Sequence, residues 1–198
     1  YHKTYTRGEA LIETFQNHHF ESIRYLTDVS GVRHIVLMAW DITARIDEQN
    51  RLKQSLHFDH LTGAMNKKAL MSAVQKGCDY CTVAYIDLDK FKQVNDTYGH
   101  AIGDKVLVDF ATLTMQKLGE TGTLYRVGGD EFVVVFDNLH TSEARESLLH
   151  IRQAVESDIH LHGISFSFGL MVCNGNLAQG IEKADKALYQ DKHARKQS

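Results

Sequence analysis

Residues 124–136 read LYRVGGDEFVVVF. Two runs rich in β-branched and aromatic residues, Leu124–Val127 and Phe132–Phe136, flank Gly128-Gly129-Asp130-Glu131. Such runs predict two strands, and the Gly-Gly between them predicts a hairpin turn. The glycines further predict a chain that takes positive φ and lets a phosphate or metal approach the main chain. A hairpin tip needs no acids to fold, because Asn-Gly would serve as well. Taken alone, the turn reads as a solvated loop before it reads as a site.

A second stretch shifts that balance. Thr82–Ile86 (TVAYI) predicts a buried strand that runs into Asp87-Leu88-Asp89-Lys90-Phe91-Lys92. Acids at the C-terminal edge of a strand, facing an acidic hairpin, can hold a hard cation such as Mg²⁺ through oxygen ligands. The two lysines and the short loop beside them suit a polyphosphate. Ile86–Leu107 (IDLDKFKQVNDTYGHAIGDKVL) and Arg126–Phe132 (RVGGDEF) together resemble the diguanylate cyclase family, the GGDEF domains. Asp59–Leu70 (DHLTGAMNKKAL) resembles that family's opening DxLTGxxN motif. The resemblance runs from about Phe58 to Lys196, with separate motifs in the family's order.

The resemblance implies condensation of two GTP into cyclic di-GMP with release of pyrophosphate. It implies Mg²⁺, with Mn²⁺ as an alternative, and a homodimer in which two domains face each other. Asp87 and Asp130 match the metal-binding carboxylates, and Leu88 matches the position that lends a backbone carbonyl. Glu131 matches a residue that contacts a second ion or assists deprotonation, and Lys92 one that stabilises the reacting phosphates. Asn95 and Asp104 match the positions that read guanine, while Phe91 and His100 match substrate-contacting positions. Lys192 and Lys196 match a C-terminal phosphate grip. An aspartate at 104 suits GTP, because a carboxylate accepts from guanine N1–H and N2–H₂, which adenine does not supply. On bland grounds Asn95 and Asp104 simply cap loops and a helix start.

This sequence departs from the family pattern in three places. Gly119 and Gly122 stand where the RxxD feedback motif has arginine and aspartate, so the product-binding inhibitory site is expected to be absent. After Lys192 the chain reads His193-Ala194-Arg195-Lys196 rather than the usual x-S-G-R, so Lys196 stands at the arginine position, with the neighbouring Arg195 as an alternative to it. Lys67-Lys68 stands where arginine is common.

The remaining chain frames this domain. Residues 1–43 predict β structure, with Ala10–Gln16, Phe20–Asp28 and Val32–Thr43 as strands around the turn Val29-Ser30-Gly31. This pattern, closing in Asp41-Ile42-Thr43, resembles the last strands of a PAS sensor domain, either truncated or degenerate; a hairpin that merely packs on something is the plain alternative. Residues 44–57 predict a signalling linker helix with Thr43 as N-cap, whose incomplete seam of Ile42, Ile46, Leu52 and Leu56 reads as a dimer stalk or a solvated connector. Residues 58–198 would form the catalytic domain. Within it, helices are predicted at Asn66–Lys76, Ala101–Leu118, Ser142–Val155 and Ala178–His193, with a strand at Ile164–Val172. The fold class is therefore α/β (α+β), a mixed central sheet flanked by helices, and the resemblance implies a polymerase-palm-like arrangement.

Composition narrows the partners. A net charge of −3 gives no reason to expect a nucleic-acid-coating surface. No apolar run is long enough for a transmembrane helix, and the resemblance implies a cytoplasmic protein. The three cysteines are too few and odd for a disulfide framework. Cys78-Asp79-Tyr80-Cys81 reads as small residues entering a strand, or as half of a zinc site with Cys173 and His160 or His162.

Overall fold

The computed structural model describes residues 6–7 and 10–196, with the side chains of 6–9, 53–55 and 193–196 left aside. It divides into two compact units, Tyr1–Gln54 and Ser55–Ser198.

The first unit is an antiparallel sheet followed by a helix. Its strands are β1 (Thr6–Arg7), β2 (Leu11–Phe15), β3 (His18–Val29) and β4 (Val32–Asp41). Long β3 pairs with β1 and β2 at different points along its length, and with β4 from Phe20 to Val29. Ser30 and Gly31, both at positive φ, make the β3–β4 turn, and Asp28 Oδ1 accepts from the Gly31 amide at 2.9 Å. Helix α1 (Thr43–Ser55) follows. Thr43 is not the expected helix cap: its hydroxyl accepts from the His19 amide at 2.8 Å, and Asp41 Oδ1 accepts from the Thr43 amide at 2.8 Å.

The second unit is built on β5 (Met65–Asn66), β6 (Cys81–Asp89), β7 (Gly122–Arg126), β8 (Glu131–Asp137) and β9 (Ser165–Cys173). They lie in the order β5-β7-β8-β6-β9. Only β5 and β7 run parallel, so the sheet is mixed, as expected. Central β6 and β8 are covered on both faces, which is why TVAYI and FVVVF read as continuous rather than alternating apolar runs.

Helices α2 (Lys67–Lys76), α3 (Phe91–Tyr98), α4 (His100–Leu118), α5 (Thr141–Ser157) and α6 (Leu177–Lys196) cover the sheet. On one face, Phe110 of α4 and Leu148 and Ile151 of α5 pack on Ile86, Phe132 and Phe166. On the other, Leu70 of α2 and Leu177 and Ala184 of α6 pack on Val83, Val133 and Cys173. Gly169 lets α6 press onto β9, since a Cβ there would lie 2.0 Å from the Ala184 carbonyl oxygen.

The cap of α5 is His140, whose amide donates to Glu143 Oε2 at 3.0 Å. Cys78 and Cys81 are joined as a disulfide while Cys173 is a buried free thiol, so neither cysteine reading anticipated the pairing. Among the described residues no helix is long and apolar enough to cross a membrane.

Candidate functional site

The register of β6 on β8 sets Asp87 directly opposite Glu131. Opposed residues of an antiparallel pair project on the same face, so both carboxylates share one side of the sheet. Beyond them the Leu88 amide donates to the Asp130 carbonyl at 3.1 Å, fastening the acidic turn to the end of β6. On leaving β6 the chain turns sharply at Lys90, whose φ of 61° is a left-handed conformation at a side-chain-bearing residue. Phe91 then begins α3 directly after the acids.

The turn is tied down by Arg126. Its Nε and Nη2 donate to the Gly129 carbonyl at 3.2 and 2.9 Å, and its Nη1 meets Asp59 Oδ1 at 2.9 Å. Asp59 also accepts from the Thr62 hydroxyl at 2.7 Å and the Thr62 amide at 2.9 Å. Burial opposes ionisation of Asp59, but Thr62 and Arg126 outweigh it and hold its carboxyl below the ordinary range. The DxLT stretch and the arginine before the double glycine thus form one brace.

The glycines serve close approach rather than the positive φ expected of them, because neither Gly128 nor Gly129 has a positive φ. A Cβ on Gly128 would lie 2.3 Å from Glu131 Oε2, whereas one on Gly129 would meet nothing within 4 Å. Gly128 is bare so that the Glu131 carboxylate can fold back over it.

Charge accumulates here. Burial pushes the Glu131 carboxyl up, and Asp87, Asp130 and Asp185 push it further, while Lys192 pulls it back. Burial, then Glu131, Asp185 and Asp87, raise the Tyr85 phenol to about 12. Asp185 therefore belongs to the cluster, although the sequence reading did not single it out. Its one signal was spacing: on α6 it precedes Leu188 and Lys192 on the same helical face. Lys192 Nζ lies 2.7 Å from Asp87 Oδ1.

The other expected residues sit on α3 and α4. Gly99, at φ 85°, breaks the two helices apart. A Cβ on Gly103 would fall 1.8 Å from Asn95 Oδ1, so the Asn95 amide lies against the backbone next to Asp104. His100 and Asp104 are one turn apart and exposed, as is Lys92. Phe91 is turned into the core. Lys196 ends α6, and its side chain lies outside the described residues. Gly119 is the positive-φ cap of α4, and Gly122 sits under Phe136 with its would-be Cβ at 3.1 Å.

The donor set suits a hard divalent cation of the Mg²⁺ kind. Among the described residues no three acid, histidine or cysteine side chains form a cage by themselves. Mg²⁺ favours the alternative, one or two carboxylates completed by substrate phosphates and water. Asp87, Asp130, Glu131 and the Leu88 main chain supply such oxygens, and the like-charge repulsion on Glu131 marks an excess of negative charge.

Residues 56–198 match the family described as diguanylate cyclase, GGDEF domain. The chain is 30% identical to Diguanylate cyclase DgcP of Pseudomonas aeruginosa, over 96% of this chain and 31% of that protein. It is 32% identical to Cyclic di-GMP phosphodiesterase PdeR of Escherichia coli, over 84% of this chain and 27% of that protein. The chain thus spans less than a third of either relative. Among solved structures, the coiled coil and GGDEF domain of DgcB from Caulobacter crescentus, in complex with c-di-GMP, superposes with a TM-score of 0.71 at 25% identity. That superposition covers 77% of this chain and 89% of the other.

Proposed function

The chain belongs to the diguanylate cyclase GGDEF-domain family, and on that premise we propose that it condenses two GTP into cyclic di-GMP and two pyrophosphates in a Mg²⁺-dependent reaction. One observation carries the reading: Asp87 stands opposite Glu131, beside Asp130, with Lys192 reaching into the same cluster. Asp87, Asp130 and the Leu88 carbonyl would hold the cation, with Mn²⁺ as a substitute. Bound there, it would acidify a 3′-hydroxyl and neutralise phosphate charge.

The chain's own groups do the rest. Glu131, opposite Asp87 and beside Asp130, would draw the 3′-hydroxyl proton or contact a second ion. Lys192, and Lys92 from α3, would offset charge on the phosphates as pyrophosphate departs. Asp104 would accept from guanine N1–H and N2–H₂, and Asn95 would complete the base contacts. His100 would line the substrate, Phe91, with its ring in the core, would meet it only through the main chain at the start of α3, and Lys196 would extend the phosphate grip.

Each domain carries one guanine-reading pair and one acid cluster, yet the product has two symmetric bonds. Two domains must therefore face each other as half-sites in an isologous pair. Residues 58–198 would form the catalytic domain, 44–57 the tether, and 1–43 a PAS-like sensor segment.

A second reading, nucleotide binding without turnover, draws on the likeness to PdeR, a protein named for the opposite activity. Incubation with GTP and Mg²⁺, followed by chromatography of the nucleotides, separates the two. Cyclic di-GMP, formed with a specific activity that rises with protein concentration, supports the cyclase and its half-sites. Bound but unaltered GTP supports the second reading.

A further inference from the structure

β9 is the outer strand of the catalytic sheet, so polar groups along its free side need partners from elsewhere. At Phe168 the amide donates to Asp191 Oδ2 at 3.0 Å. The same oxygen accepts from Arg152 Nη2, also at 3.0 Å. Arg152 belongs to α5 and Asp191 to α6, and these helices pack on opposite faces of the sheet. The pair therefore crosses the open edge and buckles the two helix layers together over β9.

The buckle is not a loose surface contact. The Arg152 guanidinium lies 5.3 Å from the Phe166 ring centroid and 4.6 Å from that of Phe168. The Arg152 and Asp191 side chains are only 13% and 28% exposed. Stacking flat on an aromatic face while donating from a planar fork is a combination that lysine lacks.

The residue after Asp191 is Lys192, whose ammonium meets Asp87 at 2.7 Å. Asp87 pairs in register with Ser167, the neighbour of Phe168. Consecutive residues of α6 thus grip consecutive rungs: Asp191 holds β9 at Phe168, and Lys192 reaches across to β6. We infer that Arg152 and Asp191 are positioning residues that set where the Lys192 ammonium sits, and so govern the affinity of the site for nucleotide phosphates. The inference rests on the proposed role of Lys192 as a phosphate contact. It goes beyond that role by tying the phosphate grip to a buckle on the far edge of the sheet.

The test is a double-mutant cycle on the full chain, read by binding of a non-hydrolysable GTP analogue with Mg²⁺ and by GTP turnover. Asp191→Ala is expected to weaken analogue binding and raise KM about fivefold to tenfold with kcat little changed, as for weakening one charge-assisted contact. Asp191→Asn, which keeps an acceptor for the Phe168 amide, should restore most of the affinity. In a Lys192→Met background, Asp191→Ala should have no further effect on binding. Should Asp191→Ala fail to fold by circular dichroism, Arg152→Lys, which keeps the charge but loses the fork, takes its place in the cycle. Unchanged binding in the single variant, or an equal loss with Lys192 already replaced, overturns the inference. Absence of turnover with the coupling intact would count against the cyclase reading alone.

Discussion

Replacing Arg126 by alanine removes the brace beneath the acidic turn. The guanidinium serves the Asp59 carboxylate at 2.9 Å and grips the Gly129 carbonyl through two nitrogens. Breaking a buried ion pair by deleting one partner costs about 3–5 kcal/mol. Here both side chains keep some water, at 13% and 18% exposure, so the expected loss is about 2–4 kcal/mol. For a domain of this size that corresponds to a fall in Tm of roughly 6–12 °C. Arg126→Lys keeps the charge but cannot hold both acceptors at once, so its loss should be intermediate. Turnover should fall more than stability, because the freed turn carries Asp130 and Glu131. Calorimetric melts of both variants and of Asp59→Asn, beside GTP turnover below their melting points, measure each part. A Tm for Arg126→Ala within about 2 °C of the parent, with parental turnover, would refute the brace.

Gly128→Ala should cost turnover with little change in Tm, because the added methyl meets only the Glu131 side chain, most closely at Oε2, and displaces its carboxylate. Gly129→Ala, which meets nothing, should melt like the parent; a Gly128→Ala variant of parental activity would remove the close-approach argument. Asp59 has a lowered folded-state carboxyl, so its contribution is present above the ordinary carboxylate value and fades as pH falls through the lowered one. Acid melts should therefore drop less steeply for Asp59→Asn than for the parent, and parallel curves would contradict the assignment. Asp104→Ser should narrow the preference for GTP over ATP in a competition assay, and unchanged discrimination would end the guanine-reading role.

The sheet and its covering helices were legible because their signals are local. Continuous apolar runs marked β6 and β8, and apolar residues at helical spacing marked α4 and α5. What escaped depended on contacts distant in the chain. Asp59 and Arg126 are 67 residues apart, and no pattern announces their pairing. Asp185 joins the acids only because Gly169 lets α6 lie close against β9. Arg152 and Asp191 look like ordinary helix-surface charges until two helices from opposite faces meet at the sheet's edge. The role of Gly128 was misjudged for a related reason, since its constraint is the neighbouring Glu131 side chain and not its own φ. The α3 helix between the acids and Gly99 read only as a short loop, because eight residues give periodicity too little length.

The proposed condensation of GTP depends on the acids gathered on β6 and the β7–β8 hairpin. Phosphorus NMR of the protein with GTP and Mg²⁺, run beside Asp130→Ala of matching circular dichroism, tests it most directly. Cyclic di-GMP and pyrophosphate are expected from the parent and none from the variant, whose fold should survive loss of a turn acid. A folded parent that leaves GTP intact, or an Asp130→Ala protein that matches its rate, would contradict it.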